Sequence, residues 1–297
     1  MVRSKVGKGY RICMHIILSL VSLSMILPVL LLFIGSITDE QLLVENGYTF
    51  FPKRLSLEGY RLLWQNIETV GRAFLISLGV TAVGTVCSVL LTLLLAYPLT
   101  VRRLPGRKLL HLFVLIPMLF SGGFVPAYVM WSTVFPIKNT LFAYLLPNLL
   151  LRVWWVFLTK NYLERNVSAA LCDAARIDGM GHWGVLRKIV LPAGKPVVTA
   201  VSVLTALGYW NDWLNGLYYV YRSSRFSLPV LLWHMSVHVD AIALHAEHVG
   251  WASDMGPYST LSLHMAMAFL LVLPVLLVYP FIWKPLVSGL TLGTMKK

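Results

Sequence analysis

Charge is scarce in this chain. Only 12% of its 297 residues are Asp, Glu, Lys or Arg, whereas a soluble domain carries about a quarter, which excludes an ordinary water-soluble globule. Acidic residues are the rarer kind, 12 against 25 basic ones. Cysteine is rarer still. Cys13, Cys87 and Cys172 form no CxxC pair and no even set, so the sequence points to neither a disulfide framework nor a zinc site. Signatures of catalysis are missing too. There is no G-x-x-x-x-G-K-[ST] phosphate loop; the nearest stretch, Gly194-Lys195-Pro196, lacks the upstream glycine spacing and the Ser or Thr. Neither H-E-x-x-H nor G-x-S-x-G occurs, so a membrane protease or lipase has no support. No internal repeat and no low-complexity segment is present.

Apolar residues fill the space that charge leaves, making up 58% of the chain. A helix needs about 20 apolar residues to cross the hydrocarbon core. Residues 13–37 carry no charge over 25 positions, and residues 73–101, 109–137 and 255–283 carry none over 29 each. Two further runs are interrupted, 139–159 by Arg152 and 196–221 by Asp212. The reading is an all-α membrane protein with six transmembrane helices. The first run is too long for a signal-peptide core and no small-x-small site follows it, so it is read as a retained helix.

An even number of spans places both termini on one side, and the basic residues choose the side. The N-terminal stretch, the connections around Arg102–Lys108 and Lys160–Lys195, and the tail from Lys284 hold 17 Lys and Arg, against 6 on the opposite face. That bias puts both ends in the cytoplasm. The net charge of +13 therefore reports topology, and nucleic acid is not an expected partner. Arg152, counted from the inner end of its run, is expected to snorkel to the inner surface. Helix breakers fall inside several runs: Pro117, Gly122, Gly123 and Pro126 in the third, Pro147 in the fourth, Pro274 and Pro280 in the sixth. They fit either kinks in a packed bundle or helices bordering a path through the membrane, since freed backbone groups need neighbours or a wet cavity.

The most informative segment is the connection 161–196. Ala170, Ala174 and Ile177 stand at helical spacing with Leu171 and Ala175 beside them, Ser168 fits an N-cap, and Asp178-Gly179 ends the helix. A second amphipathic segment, 182–190, is expected to stop at Leu191-Pro192. By composition alone this could be a helix pair lying on lipid headgroups. The run D-A-A-R-I-D-G followed by I-V-L-P, however, resembles the cytoplasmic "EAA" loop of binding-protein-dependent ABC importer permeases, specifically the sugar-transporting group that includes the maltose permeases. F-P-K-R-L-S-L-E-G-Y (51–60) is similar to that family's first outer loop. F-S-G-G-F-V-P-A-Y (120–128), G-Y-W-N-D-W-L-N-G-L-Y-Y (208–219) and S-G-L-T-L-G-T-M-K (288–296) resemble the subgroup that imports oligosaccharides released from polysaccharides.

The resemblance implies a type I importer permease in the bacterial plasma membrane. It would pair with a second permease subunit and a cytoplasmic ATPase dimer, and receive a carbohydrate from an extracellular solute-binding lipoprotein. It implies no cofactor and no catalysis by this chain. The residues seating in the ATPase would be Asp173, Ala174, Ala175, Asp178 and Gly179. Two departures stand out: Asp173 replaces the family's usual glutamate, and Arg165-Asn166-Val167-Ser168 replaces the usual residues ahead of it. The domain organisation expected is a first helix and outer loop (1–71), a transmembrane core (72–284) containing the coupling loop, and a cytoplasmic tail (285–297).

Two further groups carry open readings. Tyr209, Trp210 and Trp213 around Asn211-Asp212 fit either an interfacial aromatic belt or, for Trp210, Asn211, Asp212 and Trp213, a sugar-facing surface on the translocation path. His234, His238, His245 and His248, with Asp240 and Glu247 between them, have spacings that can hold a metal but equally fit an amphipathic interfacial helix. A metal or ion-coupled secondary transporter is the rival class. Such carriers keep carboxylates deep in their helices and often show an inverted repeat; here Asp212 is the one deep candidate.

Overall fold

A computed structural model describes residues 8–102, 104–120, 122–147, 149–243 and 261–291, and there the regular elements are helices, with one isolated antiparallel bridge between Thr38 and Leu55. The chain divides into two units, one built from residues up to Glu68 with Leu232–Pro274, the other from Thr69–Leu231 with Val275 onward.

In the first unit, α1 (Lys8–Ser36) is apolar on every side, and Ile16, Leu20 and Leu23 stand more than half exposed. Such a surface is stable facing lipid and not water. Beyond it, Ser56 N–H donates to Ile37 O at 2.8 Å, folding the following segment back on the helix end. Within that segment lie α2 (Glu40–Asn46), capped by Asp39, and then α3 (Glu58–Gln65). The Glu40 carboxylate accepts the N–H groups of Leu261 (2.8 Å) and Ser262 (2.7 Å), the first residues of α14 (Leu261–Thr291). An anion thus satisfies two orphan donors at the positive end of that helix dipole. Gly59 of α3 approaches α14 so closely that a Cβ there would lie 2.6 Å from Ser262 O.

In the second unit, α4 (Ile67–Thr100) buries a stripe of small residues, Ala73, Ser77, Gly84, Ser88, Thr92 and Ala96. Small side chains let neighbours approach where lipid supplies no hydrophobic drive. At Gly84 the Tyr209 ring fills the space that a side chain would need.

The third apolar run is α5 (Arg107–Leu119) followed by α6 (Phe124–Val129), which passes into a π-helical turn, Met130–Val134. The two parts are bent by 114°, and Gly123 takes φ +82° in the break. The fourth run departs from the single span expected. It holds α7 (Phe142–Leu145), then residues up to Arg152 of which the described ones are not helical, and then α8 (Val153–Asn166). Pro147 cannot donate within a helix, and the carbonyls freed nearby find neighbours: Leu145 O accepts from Tyr209 Oη (3.1 Å) and Pro147 O from Asn215 Nδ2 (3.1 Å).

The next segment comprises α9 (Ala169–Ile177), α10 (His182–Val185) and α11 (Leu191–Trp210). Contrary to expectation, the second loop helix does not stop at Leu191-Pro192. It continues through a π-helical turn, Leu186–Val190, in which Leu191 N–H reaches back to Leu186 O, and Pro192 follows just after that turn. α12 (Leu214–Tyr219) and α13 (Leu228–Ala243) complete the unit's order up to Leu231. α8 packs against both α5 and α11. Among the described residues, Ile12–Ser36, Ile67–Thr100, His182–Trp210 and Leu261–Pro280 are each long and apolar enough to cross a membrane, and the bent pair adds one more. The six apolar runs are therefore not six continuous helices.

Candidate functional site

The loop between α8 and α11 is built on the end of α4. Ser168 Oγ accepts the Leu171 N–H at 3.5 Å, capping α9 as its sequence implies. At the other end Gly179 N–H donates to Arg176 O (3.0 Å) and Met180 N–H to Ala175 O (2.9 Å). This is a Schellman closure, with Gly179 at φ +86° in the left-handed region that favours glycine.

α9 has two unlike faces. Ala175, 9% exposed, packs with Tyr97, Leu163, Val185, Leu186 and Val190, with Cys172 and Met180 alongside. Burial pushes the Cys172 thiol pKa up, opposed by the nearby Arg176 charge. Leu171, Ala174 and Ile177, at i, i+3 and i+6, form an exposed ridge that runs from beside Ala175 to the far side of the helix, Ile177 being 87% exposed. Of the five residues singled out, Asp173, Ala174, Asp178 and Gly179 are exposed and Ala175 is inside.

Sequence reasoning missed Tyr97, the hub beneath this loop. Its hydroxyl accepts from Arg176 Nη2 (3.4 Å) and lies 3.5 Å from His182 Nδ1, while Arg176 Nη1 pairs with Asp173 Oδ1 at 3.2 Å. The available signal was a tyrosine beside Pro98 at the inner end of an uncharged run. Next to it, Glu164 of α8 binds Lys160 (2.9 Å) and Arg107 (3.2 Å), and Arg107 Nε also donates to Leu99 O (2.8 Å). The ends of α4, α5 and α8 are thereby tied together.

At the break between α11 and α12 the four candidate residues separate. Trp210 is 6% exposed and packs edge-on against Phe74 at 5.8 Å. Asn211 is exposed, its Nδ2 donating to Leu207 O at 2.9 Å. The Asp212 carboxylate accepts from Asn215 N–H (3.2 Å) and Asn215 Nδ2 (2.9 Å), holding the first turn of α12. Trp213 is exposed. Arg152 does not snorkel to the inner surface as expected. It precedes the 14-residue α8, about 20 Å of helix from the loop. Its guanidinium packs so close to Gly208 that a Cβ there would lie 2.9 Å from Nη2, and its charge acts on Asp212.

Two sequence motifs also meet here. Phe124 packs on Tyr218 with ring centroids 4.4 Å apart, Tyr128 stacks on Tyr219 at 5.6 Å, and Lys138 Nζ sits 5.0 Å over the Tyr128 ring. Of the histidine group, His245, His248 and Glu247, and the side chains of His238 and Asp240, lie outside the described residues; no cluster of three metal-ligating side chains occurs among the described ones.

Several helices long and apolar enough to cross a membrane, with an exposed apolar ridge on a glycine-ended loop between two of them, fit a membrane protein. The comparisons give its family. The chain is 31% identical to protein LplC of Bacillus subtilis (strain 168) over 296 residues, covering all of this chain and 98% of that protein. It is 30% identical over 274 residues to the polygalacturonan/rhamnogalacturonan transport system permease protein YtcP of the same organism, covering 91% and 92% of the two chains. It is 26% identical over 296 residues to the arabinooligosaccharides transport system permease protein AraQ, also of B. subtilis, covering 97% of this chain and 96% of that protein. Among solved structures, a chain of a bacterial ABC transporter involved in the import of the acidic polysaccharide alginate shares the fold, with a TM-score of 0.79 and 23% identity over 95% of this chain and 98% of that one. No protein-family model matches the chain. The chain belongs to the permease subunits of carbohydrate ABC importers, and it is a multi-pass plasma-membrane protein. The metal or ion-coupled alternative finds no support among these relatives.

Proposed function

We propose that the chain is one of two permease subunits that import an oligosaccharide into a bacterial cell. ATP is hydrolysed on a separate ATPase dimer, and an extracellular lipoprotein delivers the sugar. The chain crosses the membrane six times, counting the broken third, fourth and fifth runs as one crossing each, with both termini in the cytoplasm. Its domains follow the sequence division: residues 1–71, the core 72–284 with the loop, and the tail 285–297.

The observation that carries this reading is the two-faced helix α9. Its exposed ridge of Leu171, Ala174 and Ile177 enters the ATPase groove, with Asp173, Asp178 and the Gly179 turn at its rim. Ala175, buried on Tyr97, acts from beneath by seating the helix. At the other site, Asn211 and Trp213 border the sugar path, while Trp210 and Asp212 hold the break that shapes it. The relatives' substrates, polygalacturonan, rhamnogalacturonan and arabino-oligosaccharides, support an oligosaccharide as cargo.

The test is reconstitution of the chain in vesicles, alone and with its second permease, ATPase and binding protein. Sugar uptake and ATP hydrolysis are expected only from the complete set. ATP hydrolysis by this chain alone would overturn the reading.

A further inference from the structure

A cavity of about 610 Å³ lies at the root of the loop, walled by the ends of α4, α5 and α8 and by the inner edge of α9. Four cationic side chains line it, Arg102, Arg107, Lys160 and Arg176, with two carboxylates, Glu164 and Asp173. The carboxylates are already engaged, Glu164 by Lys160 and Arg107, Asp173 by Arg176. Four cations against two carboxylates leave the cluster with a net positive charge. Arg102 is exposed with no partner among the described residues, and Arg176, paired with Asp173 through Nη1, has an Nε donor without one. A guanidinium whose planar fork has a donor free is suited to a phosphate oxygen.

Position narrows the ligand. The cavity begins where the uncharged run 73–101 gives way to Arg102, the point at which a spanning helix leaves the hydrocarbon. Leu163, Val167 and Val190 supply an apolar wall on the same cavity. Basic pockets between membrane helices at the cytoplasmic surface recognise anionic headgroups.

We propose that this cavity binds the phosphate of an anionic phospholipid headgroup. The phosphate sits between Arg102 and Arg176, and the glycerol backbone lies against the apolar wall. Because Arg176 also holds Tyr97 and Asp173, an occupied cavity braces α9 and favours the loop position seen here. The proposal rests on the proposed cytoplasmic placement of the loop, so orientation is measured separately: Ile177→Cys is labelled with a membrane-impermeant maleimide in inside-out and right-side-out vesicles.

The experiment uses the complete importer in nanodiscs of phosphatidylcholine containing a minor share of phosphatidylglycerol, with lipid retained after detergent extraction counted by native mass spectrometry. Phosphatidylglycerol is expected to be enriched over its share in the bilayer. Arg102→Glu should lower retention at least about fivefold, since each cation near the surface contributes on that scale, and Glu164→Gln should raise it. A general loss of stability would move both variants the same way, so opposite directions separate binding from misfolding. Excess inorganic phosphate is expected to leave the lipid in place. Its displacement of the lipid, equal retention of the two lipids, or parallel changes in the two variants overturns the assignment.

Discussion

The Tyr97 hydroxyl stands 3.4 Å from Nη2 of Arg176, joining the end of α4 to the helix that carries the exposed ridge. The same hydroxyl is 3.5 Å from His182 Nδ1, so one atom on a long apolar helix touches both sides of the Gly179 turn. The hydroxyl therefore links the end of α4 to both α9 and α10.

Tyr97→Phe isolates that link. The ring stays buried among Ala175, Val185 and Leu186, and only the hydroxyl is lost, at a cost of about 1 kcal/mol for a long bond to a charged donor. Co-purification of the ATPase should persist, while stimulation of ATP hydrolysis by sugar-loaded binding protein falls severalfold. Undiminished stimulation would show that the hydroxyl carries no coupling.

Gly179 tests the angle of the loop. No atom lies within 4 Å of a Cβ built there, so substitution costs backbone energy only. Gly179→Ala at φ +86° should cost about 1–2 kcal/mol and Gly179→Val more. Both variants should insert into the membrane normally, because the strain is confined to the loop. ATPase co-purification should decline in the order Gly, Ala, Val. Equal recovery of all three would mean that the turn is incidental.

Much of this loop was legible because its signals are local. Ser168 before a small apolar helix and Asp178-Gly179 after it name a cap and a stop, and both are observed. Which face of α9 turns inward was not legible, since Ala174 and Ala175 are chemically identical and only Tyr97 and Val185, distant in sequence, distinguish them. The apolar runs were legible from composition, their breaks only in part. Pro147 and Gly123 announced interruptions, but the carbonyls that Tyr209 and Asn215 accommodate come from tertiary packing. Arg152 was misplaced because counting inward along an assumed continuous helix ignored the start of α8. Glu40 as the cap of α14 pairs residues 221 positions apart, beyond any local pattern.

The two faces of α9 should answer differently to substitution. Ile177→Asp changes a residue that is 87% exposed, so the permease should keep its thermal stability while ATPase recovery drops at least tenfold. Ala175→Leu forces bulk into a packed site, where overpacking costs about 1–3 kcal/mol, and should lower the permease's own melting temperature. Stability loss in Ile177→Asp with unchanged ATPase binding would reverse the assignment of the faces.

Cys172 reports on the same interface through pH. Burial raises its thiol pKa above the ordinary value, so the reactive thiolate is sparse at neutral pH and grows as pH rises toward the alkaline range. Maleimide labelling of Cys172 should be slower than that of an Ile177→Cys variant at pH 7 and should gain on it as pH increases. A rate that is flat with pH would contradict a partly buried, protonated thiol.

Asp212 tests what a carboxylate at a break in the membrane domain is for. It lies just before α12 and accepts two bonds from Asn215, one from the backbone N–H and one from Nδ2. Asn215 passes the link on to Pro147 O, in the other broken run. Asp212 is thus the cap that joins two interrupted helices, and capping interactions contribute about 0.5–2 kcal/mol. Asp212→Asn keeps one acceptor for the N–H but turns an amide against the amide of Asn215, so part of the cap survives. Asp212→Ala removes all of it and leaves Asn215 Nδ2 with Pro147 O alone. The expected order of detergent melting temperatures is wild type, then Asp212→Asn, then Asp212→Ala, with the assembled complex retaining the same preference among sugars. If the carboxylate instead touched the cargo, Asp212→Asn would change sugar selectivity at unaltered melting temperature, and the structural assignment would fall. Uptake competition among oligosaccharides, measured beside the thermal melts, separates the two outcomes, because a cap acts on every substrate alike and a contact does not.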